Sequence, residues 1–252
     1  MQVAIVTGTS KGLGYSIAKL LLEQQIHVIG ISRTENKSLT KIAAQSERSY
    51  THLSYDLGKI SELKDSFTDI NGLIDEKEVE KLFLVNNAAV LQPINHSREI
   101  NVDDLAFHIQ VNTTAPMGLM NECLRISAAK GLSFYGVNIT SGAANRPIYG
   151  WSAYCSTKAL INRYTETVAL EQHTLMTGNK VFAFSPGVMD TNMQEQIRST
   201  DKVAFKDVEQ FIQYKEDDHL RKTDDVGQIV VDILTDESTI VNGKIYEVSD
   251  YL

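Results

Sequence analysis

The stretch VAIVTGTSKGLG, residues 3–14, decides the fold. Its first five residues form a short apolar run rich in β-branched side chains, which is typical of a buried strand. Glycines follow at positions 8, 12 and 14, and the chain continues with apolar residues at helical spacing. Glycine permits positive φ and leaves no Cβ in the way of a ligand, while the free N–H groups of a helix N-terminus attract an anion. A strand, a glycine turn and a helix in this order predict the phosphate-binding turn of a dinucleotide fold.

Alternation of short apolar runs with amphipathic segments continues along the whole chain. The candidate strands after the first are residues 27–31, 82–85, 134–139 and 181–184, with weaker candidates at 51–55 and 244–248. Because parallel strands need long crossovers that have room for a helix, this alternation predicts a parallel sheet. No Pro- or Gly-rich linker or repeat divides the sequence. We therefore predict an α/β protein, with residues 1–252 forming one Rossmann-like, doubly wound parallel sheet of about seven strands with helices on both faces.

One polar and weakly periodic segment, residues 190–222, interrupts the alternation. A long irregular insertion in a compact domain is usually a functional lid or a mobile loop. We interpret this part, called the lid segment below, as a lid over the substrate, and a helical excursion on the surface is the alternative.

Charge and cysteine usage exclude several classes of function. The formal net charge is −8 without a compensating basic run, which argues against nucleic acid or an anionic membrane as a partner. The two cysteines, Cys123 and Cys155, have no C-x-x-C spacing, so neither a disulfide nor a metal site is expected. The N-terminus lacks the pattern of a signal peptide, and no window approaches the roughly 18–20 apolar residues of a membrane span. We expect a cytoplasmic protein.

The end of the second strand bears on the choice of cofactor. NAD-binding proteins usually place Asp or Glu about 20 residues beyond the glycines, whereas an Arg suits the 2′-phosphate of NADP(H). Here the strand is followed by Arg33, and Lys11 in the glycine turn adds a second positive charge. Glu35 lies close by in sequence and weakens this argument slightly. The pattern predicts NADP(H) as the cofactor.

Three side chains further along the chain predict the chemistry of carbonyl reduction. Ser141 follows a candidate strand, and Tyr154 and Lys158 follow it at Y-x-x-x-K spacing, which places phenol and ammonium on one face of a helix. Hydride attack on a ketone builds negative charge on oxygen, which needs a proton and a hydrogen-bond donor beside it. A nearby Lys⁺ and an oxidised, positive nicotinamide would lower the phenol pKa from about 10. We predict Tyr154 as general acid, Lys158 as the residue that tunes it and contacts the ribose, and Ser141 as donor to the carbonyl oxygen.

These motifs together resemble the short-chain dehydrogenase/reductase family. The glycine turn matches its T-G-x-x-x-G-x-G, Asn86–Asn87–Ala88–Ala89 resembles its N-N-A-G with Ala in place of the last Gly, and PGVMDT at 186–191 matches its P-G-x-x-x-T turn. The resemblance implies Asn112 as a fourth catalytic residue that holds a water of the proton relay, and a homodimer or homotetramer. It implies cofactor contacts from Gly8, Ser10, Lys11, Gly12, Leu13, Gly14, Arg33, Asp56, Asn87, Ala88, Tyr154, Lys158, Pro186, Gly187, Val188 and Thr191.

Within this family, the sequence resembles sepiapterin reductases more closely, and bacterial members of that group also reduce benzil. The residues that carry this resemblance are GW at 150–151, Tyr154–Cys155 and PGVMDTNMQ at 186–194. It implies a small-molecule substrate, one carbonyl of a vicinal dicarbonyl or acyl-pterin. A C-terminal Asp of these enzymes anchors the pterin, and Asp250 is its candidate match. Aromatic and thioether side chains around the predicted pocket, Phe205 among them, favour a flat substrate. The alternative for each of these side chains is that it packs in the protein core. The candidate substrate contacts are Ser141, Tyr149, Trp151, Tyr154, Met189, Met193 and Asp250.

Other functions remain open at this stage. A 3-oxoacyl-thioester reductase, a steroid-type dehydrogenase or another ketone reductase of the same family would use the same catalytic residues. A non-catalytic NADP(H)-sensing regulator would typically lack the tyrosine, which is intact here. Sugar-nucleotide epimerases share Y-x-x-x-K but are usually longer, with a larger C-terminal domain.

Overall fold

The computed structural model describes residues 1–45 and 49–251. Its centre is a seven-stranded, all-parallel sheet in the order β3-β2-β1-β4-β5-β6-β7. The predicted fold is confirmed, and the strand order reverses beside β1, where such sheets open a crevice at the carboxyl ends of their strands. The strands are β1 Gln2–Thr7, β2 His27–Ile31, β3 Tyr50–Leu53, β4 Lys81–Asn86, β5 Ser133–Ile139, β6 Lys180–Ser185 and β7 Ile245–Glu247.

Helices cover both faces of the sheet. The first face is packed by α1 and α9, through side chains such as Ile17, Leu21 and Val230, and the second by α3 and α5, through Ile70 and Leu119. Strand residues are consequently buried on both sides, which explains their continuous apolar runs. In the described part of the chain, no helix is long and apolar enough to cross a membrane. The helices are α1 Gly12–Glu23, α2 Lys37–Gln45, α3 Ile60–Asp75, α4 Val102–Ile109, α5 Ala115–Lys130, α6 Ser152–Thr174, α7 Asn192–Arg198, α8 Val208–Glu216 and α9 Thr223–Thr235.

The lid segment contains the two short helices α7 and α8, so the helical alternative describes it better than an irregular loop. Its aromatic side chains form a small core of their own. Phe205 is fully buried and stacks on Trp151 with ring centroids 4.8 Å apart, and Phe211 lies 5.6 Å from the same indole. The segment is therefore tied to the turn that precedes α6, and its low periodicity reflects the shortness of its helices.

Candidate active site

The glycine turn is locked to the end of β4 by hydrogen bonds. The Thr7 hydroxyl accepts from the backbone N–H of Asn87 and of Ala88, each at 2.9 Å, and the Asn87 amide donates to the Thr7 carbonyl at 2.9 Å. Gly8 has φ +76°, and a Cβ on Gly14 would lie 2.4 Å from the Gly8 carbonyl oxygen. Only glycine fits both places, so the spacing of the turn is a steric requirement.

The N-terminus of α1 is open toward the crevice. Its N-cap residue, Lys11, makes no side-chain capping bond and is exposed. Gly12 has φ +63°, and among residues 1–45 and 49–251 a Cβ there would meet only the Thr191 methyl, at 3.7 Å. Ser10 is half-buried beside these residues, whereas Leu13 is buried and anchors the first turn of the helix in the core. Uncapped N–H groups and the helix dipole make this a fitting place for a phosphate.

Two predicted cofactor contacts follow β2 and β3 at the same edge of the sheet. Arg33 is exposed, and within residues 1–45 and 49–251 no carboxylate forms an ion pair with it. Glu35 instead accepts a hydrogen bond from Thr40 at 2.9 Å. Asp56 uses one carboxylate oxygen to accept from the Gly58 N–H at 3.0 Å, which shapes the turn before α3. The guanidinium of Arg33 is therefore available for an external anion, whereas Asp56 already has a structural partner.

Ser141, Tyr154 and Lys158 come together at the carboxyl end of β5 and the first turns of α6. The Ser141 side chain acts on the Tyr154 phenol and opposes the rise of its pKa. Lys158 donates to the Ile139 carbonyl at 2.8 Å, and its Nζ lies 5.7 Å from the centre of the Tyr154 ring. The two side chains of α6 are 7% and 5% exposed, so both reactive groups are nearly desolvated. The i, i+4 spacing thus brings them into one site, as expected.

Burial sets the protonation of this pair. It raises the pKa of Tyr154 to about 12, against the opposing effect of the Ser141 side chain. It also lowers the pKa of Lys158 to about 8. The sequence argument expected the Lys158 charge to lower the phenol pKa, whereas burial is the largest effect on this group and raises it, and Ser141 rather than Lys158 acts in the lowering direction. The raised pKa favours the protonated phenol in the neutral range, which is the form that a general acid requires.

Asn112 lies in a π-helical segment, Gln110–Thr114, which joins α4 to α5. Its amide donates to the Val90 carbonyl and accepts from the Val90 N–H, both at 2.8 Å, so it is anchored to the loop after β4. A cavity of about 10 Å³ separates Asn112 from Lys158 and is also lined by Asn86 and Asn138. That volume is about the size needed for one water.

The turn after β6 closes the other side of the crevice. Pro186 is buried and Gly187, at φ +68°, is exposed, with Val188 half-buried beyond them. Thr191 caps α7 by accepting from the Gln194 N–H at 3.4 Å. Because the Thr191 methyl faces Gly12 of the first turn, the last sequence motif lies beside the first.

The predicted substrate contacts lie in different environments. Trp151 is buried against the aromatic rings of the lid segment, whereas Tyr149 is 40% exposed with the Lys206 ammonium over its ring. Met189 and Met193 are half-buried beside these elements. Asp250 is exposed in a short 3-10 turn, Val248–Asp250, after β7. The structure thus packs Trp151 against the small core of the lid segment. It leaves Tyr149 and Asp250 exposed and Met189 and Met193 partly exposed.

Sequence reasoning overlooked one buried residue of this region, His108 on α4. Its Nε2 lies 3.0 Å from the Asn112 amide nitrogen and 3.1 Å from the Thr157 hydroxyl, and its ring lies edge-on to Tyr154 at 6.3 Å. A lone histidine in an ordinary helix gives no signal in the sequence, since its partners lie on other elements.

Comparisons with known proteins identify the family of this chain. The family model described as short chain dehydrogenase matches residues 2–202. The chain is 38% identical to the benzil reductase ((S)-benzoin forming) of Bacillus cereus, over 94% of this chain and 95% of that protein. It is 36% identical to the Bacillus subtilis (strain 168) protein of the same name over the full length of both.

More distant proteins extend the comparison. Sepiapterin reductase of Rattus norvegicus is 29% identical over 79% of this chain and 78% of its own. The crystal structure of the KRED1-Pglu enzyme superimposes with a TM-score of 0.82 at 25% identity and covers 97% of this chain and 100% of that one. The chain belongs to the short-chain dehydrogenase/reductase family, oxidoreductases that interconvert carbonyl and hydroxyl groups with a nicotinamide cofactor.

Proposed function

We propose that this protein is an NADPH-dependent carbonyl reductase that reduces one carbonyl of a vicinal dicarbonyl compound. The observation that carries the proposal is the convergence of Ser141, Tyr154 and Lys158, nearly buried, at the carboxyl edge of the sheet beside the glycine turn. Alone, a tyrosine and a lysine one helical turn apart prove little. They lie after β5 at the carboxyl edge of the sheet, and the crevice at the topological switch point between β1 and β4 opens on this same edge.

The residues of the crevice fit NADPH. The open N-terminus of α1 and Gly12 would hold the pyrophosphate, and Arg33 with Lys11 would hold the 2′-phosphate. No acid stands at the end of β2 to hold a free 2′-hydroxyl, which supports NADPH over NADH. When bound, NADPH supplies the hydride.

The protein's own side chains handle the proton and the developing charge. Tyr154, with its pKa raised to about 12, holds a proton that it can donate to the carbonyl oxygen of the substrate. Ser141 donates a second hydrogen bond to that oxygen and so stabilises negative charge as it forms. Lys158 supplies a positive charge beneath the phenol, and the cavity between it and Asn112 offers a place for a water that returns the proton.

The relatives and the aromatic side chains near the turn after β6 support a planar dicarbonyl as substrate. Two relatives that match nearly the whole chain are named for benzil reduction to (S)-benzoin, and a third for sepiapterin. A pocket of about 370 Å³ lies between the turn after β6 and α8, lined by Val188, Tyr214, His219 and Arg221. Tyr214 and His219 line it, and aromatic side chains suit a flat ring.

We also propose that the chain assembles as a homodimer or homotetramer. Apolar side chains of α4 and α6 remain partly exposed, among them Val102 at 75% and Leu160 at 43%. Burial of such side chains against a second copy would be favourable. Sedimentation velocity at micromolar concentration tests this, and a purely monomeric species would refute it.

A substrate screen tests the proposed function. NADPH oxidation is followed with benzil, sepiapterin, a simple monoketone and an acetoacetyl thioester, and each reaction is repeated with NADH. We expect the highest kcat/KM for benzil or sepiapterin with NADPH. Preference for the thioester would instead identify a 3-oxoacyl-thioester reductase, and binding of NADPH without turnover of any substrate would indicate a sensing protein.

A further inference from the structure

His108 is fully buried where three parts of the site meet. Its Nδ1 lies 2.7 Å from the Gln92 carbonyl in the loop after β4. Its Nε2 lies 3.0 Å from the Asn112 amide nitrogen of the π-helical segment and 3.1 Å from the Thr157 hydroxyl on α6. The imidazole therefore joins the loop, the segment that holds Asn112 and the helix that bears Tyr154.

The partners determine which ring nitrogen carries the proton. The Val90 N–H can only donate, so the Asn112 atom 2.8 Å from it must be the oxygen Oδ1. The Asn112 nitrogen then points to His108, and Nε2 must accept its hydrogen bond. The Gln92 carbonyl can only accept, so Nδ1 must carry the hydrogen. The hydrogen bonds of the Val90 N–H, the Asn112 amide, the imidazole and the Gln92 carbonyl are all satisfied only when the imidazole is neutral and carries its proton on Nδ1.

The surroundings oppose a second proton on this ring. Burial lowers the pKa of His108, and the nearby Lys158 charge acts in the same direction. The Gln92 and Ala153 carbonyls act in the opposite direction, and burial outweighs them. A proton on Nε2 would also face the Asn112 N–H, which is itself a donor, and rotation of that amide would break both bonds to Val90.

We propose that His108 is a positioning residue of the reductase site, which as a neutral Nδ1–H imidazole fixes Asn112 and Thr157 relative to the loop after β4. The contacts give it two effects. First, it holds Asn112, which lines the cavity beside Lys158. Second, its edge-on contact with the Tyr154 ring, at 6.3 Å between centroids, limits the position of the phenol. The proposal rests on the proposed function, because positioning is defined here by its effect on reduction.

Two substitutions separate the two sides of the imidazole. His108→Gln retains an acceptor near the position of Nε2 and loses the donor to Gln92. His108→Asn retains the donor and loses the acceptor for Asn112.

Misplacement of a catalytic group by about 1 Å costs on the order of 100-fold in rate. We therefore expect His108→Asn to lower kcat by about 10–100-fold with KM and NADPH affinity unchanged. His108→Gln should recover most of that loss, and the solvent isotope effect on kcat should rise in the Asn variant. The matched control is His173→Asn, at an exposed position near the end of α6.

Each outcome decides the proposal. A fall in Tm for both variants with kcat per folded molecule unchanged would show a merely structural role and overturn it. Nitrogen-15 NMR of the imidazole in the wild-type protein tests the network independently of catalysis, and a proton on Nε2 in the neutral ring would also overturn it. If the wild-type protein reduces no carbonyl, the proposed function fails together with this inference. An active wild type with no loss in the Asn variant refutes the role of His108 alone.

Discussion

Replacement of Tyr154 by phenylalanine tests the general acid directly, because it removes one hydroxyl and little else. The ring keeps its contacts with Trp151 at 5.4 Å and His108 at 6.3 Å, so the helix should stay in place. Loss of the polar interaction with Ser141 costs at most about 0.5–1.5 kcal/mol, the net contribution of one hydrogen bond. For a chain of this size that corresponds to a Tm lowered by about 2–4 °C per kcal/mol.

The effect on turnover should be much larger than the effect on stability. A positioned general acid contributes about 10²–10⁴-fold, which is about 2.7–5.4 kcal/mol of the barrier. We expect kcat with benzil to fall by that factor while NADPH, titrated by fluorescence, binds with unchanged Kd. Tyr164→Phe is the matched control on the same helix, since it removes a hydroxyl bonded to Asn121 at 2.7 Å and should lower stability alone. Near wild-type kcat in Tyr154→Phe would refute the assignment.

Three further predictions concern the cofactor, the pH profile and the substrate. Arg33→Asp removes the charge for the 2′-phosphate, so its ratio of kcat/KM for NADPH over NADH should fall at least tenfold, by about 1.4 kcal/mol or more, and an unchanged ratio would contradict that role. Because burial lowers the pKa of Lys158 to about 8, the charge beneath the phenol is present below that pH and is lost above it. The kcat for reduction should therefore fall as pH rises through about 8, and a flat profile would show that the charge is not needed. Asp250→Ala should raise the KM for sepiapterin and leave that for benzil unchanged, and an unchanged sepiapterin KM would exclude a pterin anchor at Asp250.

Local features of the sequence predicted much of the fold and the proximity of the side chains in the candidate site. Gly8 and Gly14 could be assigned because their backbone requirements arise within one turn. Tyr154 and Lys158 could be paired because helical periodicity places i and i+4 on one face. The strands were recognised from apolar runs, since a parallel sheet covered on both faces leaves little room for polar side chains.

Features that depend on distant contacts could not be predicted in the same way. The partners of His108 lie up to 49 residues away, so neither its burial nor its tautomer has a signal in the sequence. The direction of the Tyr154 pKa depends on how far tertiary packing removes water from the phenol, and the sequence shows only the charges nearby. In the lid segment, Phe205 and Phe211 pack on Trp151, which precedes the segment in the sequence by about 40 residues. This packing stabilises helices that are too short to show a clear hydrophobic periodicity in the sequence.

The reaction that we propose for this protein is hydride transfer from NADPH to one carbonyl of a vicinal dicarbonyl. The most direct measurement uses NADPH with deuterium at both C4 positions, benzil as substrate and mass spectrometry of the product. We expect benzoin that carries one deuterium on its carbinol carbon, with the second carbonyl intact and one NADPH consumed per product. Unlabelled benzoin, reduction of both carbonyls or no benzoin at all would contradict it.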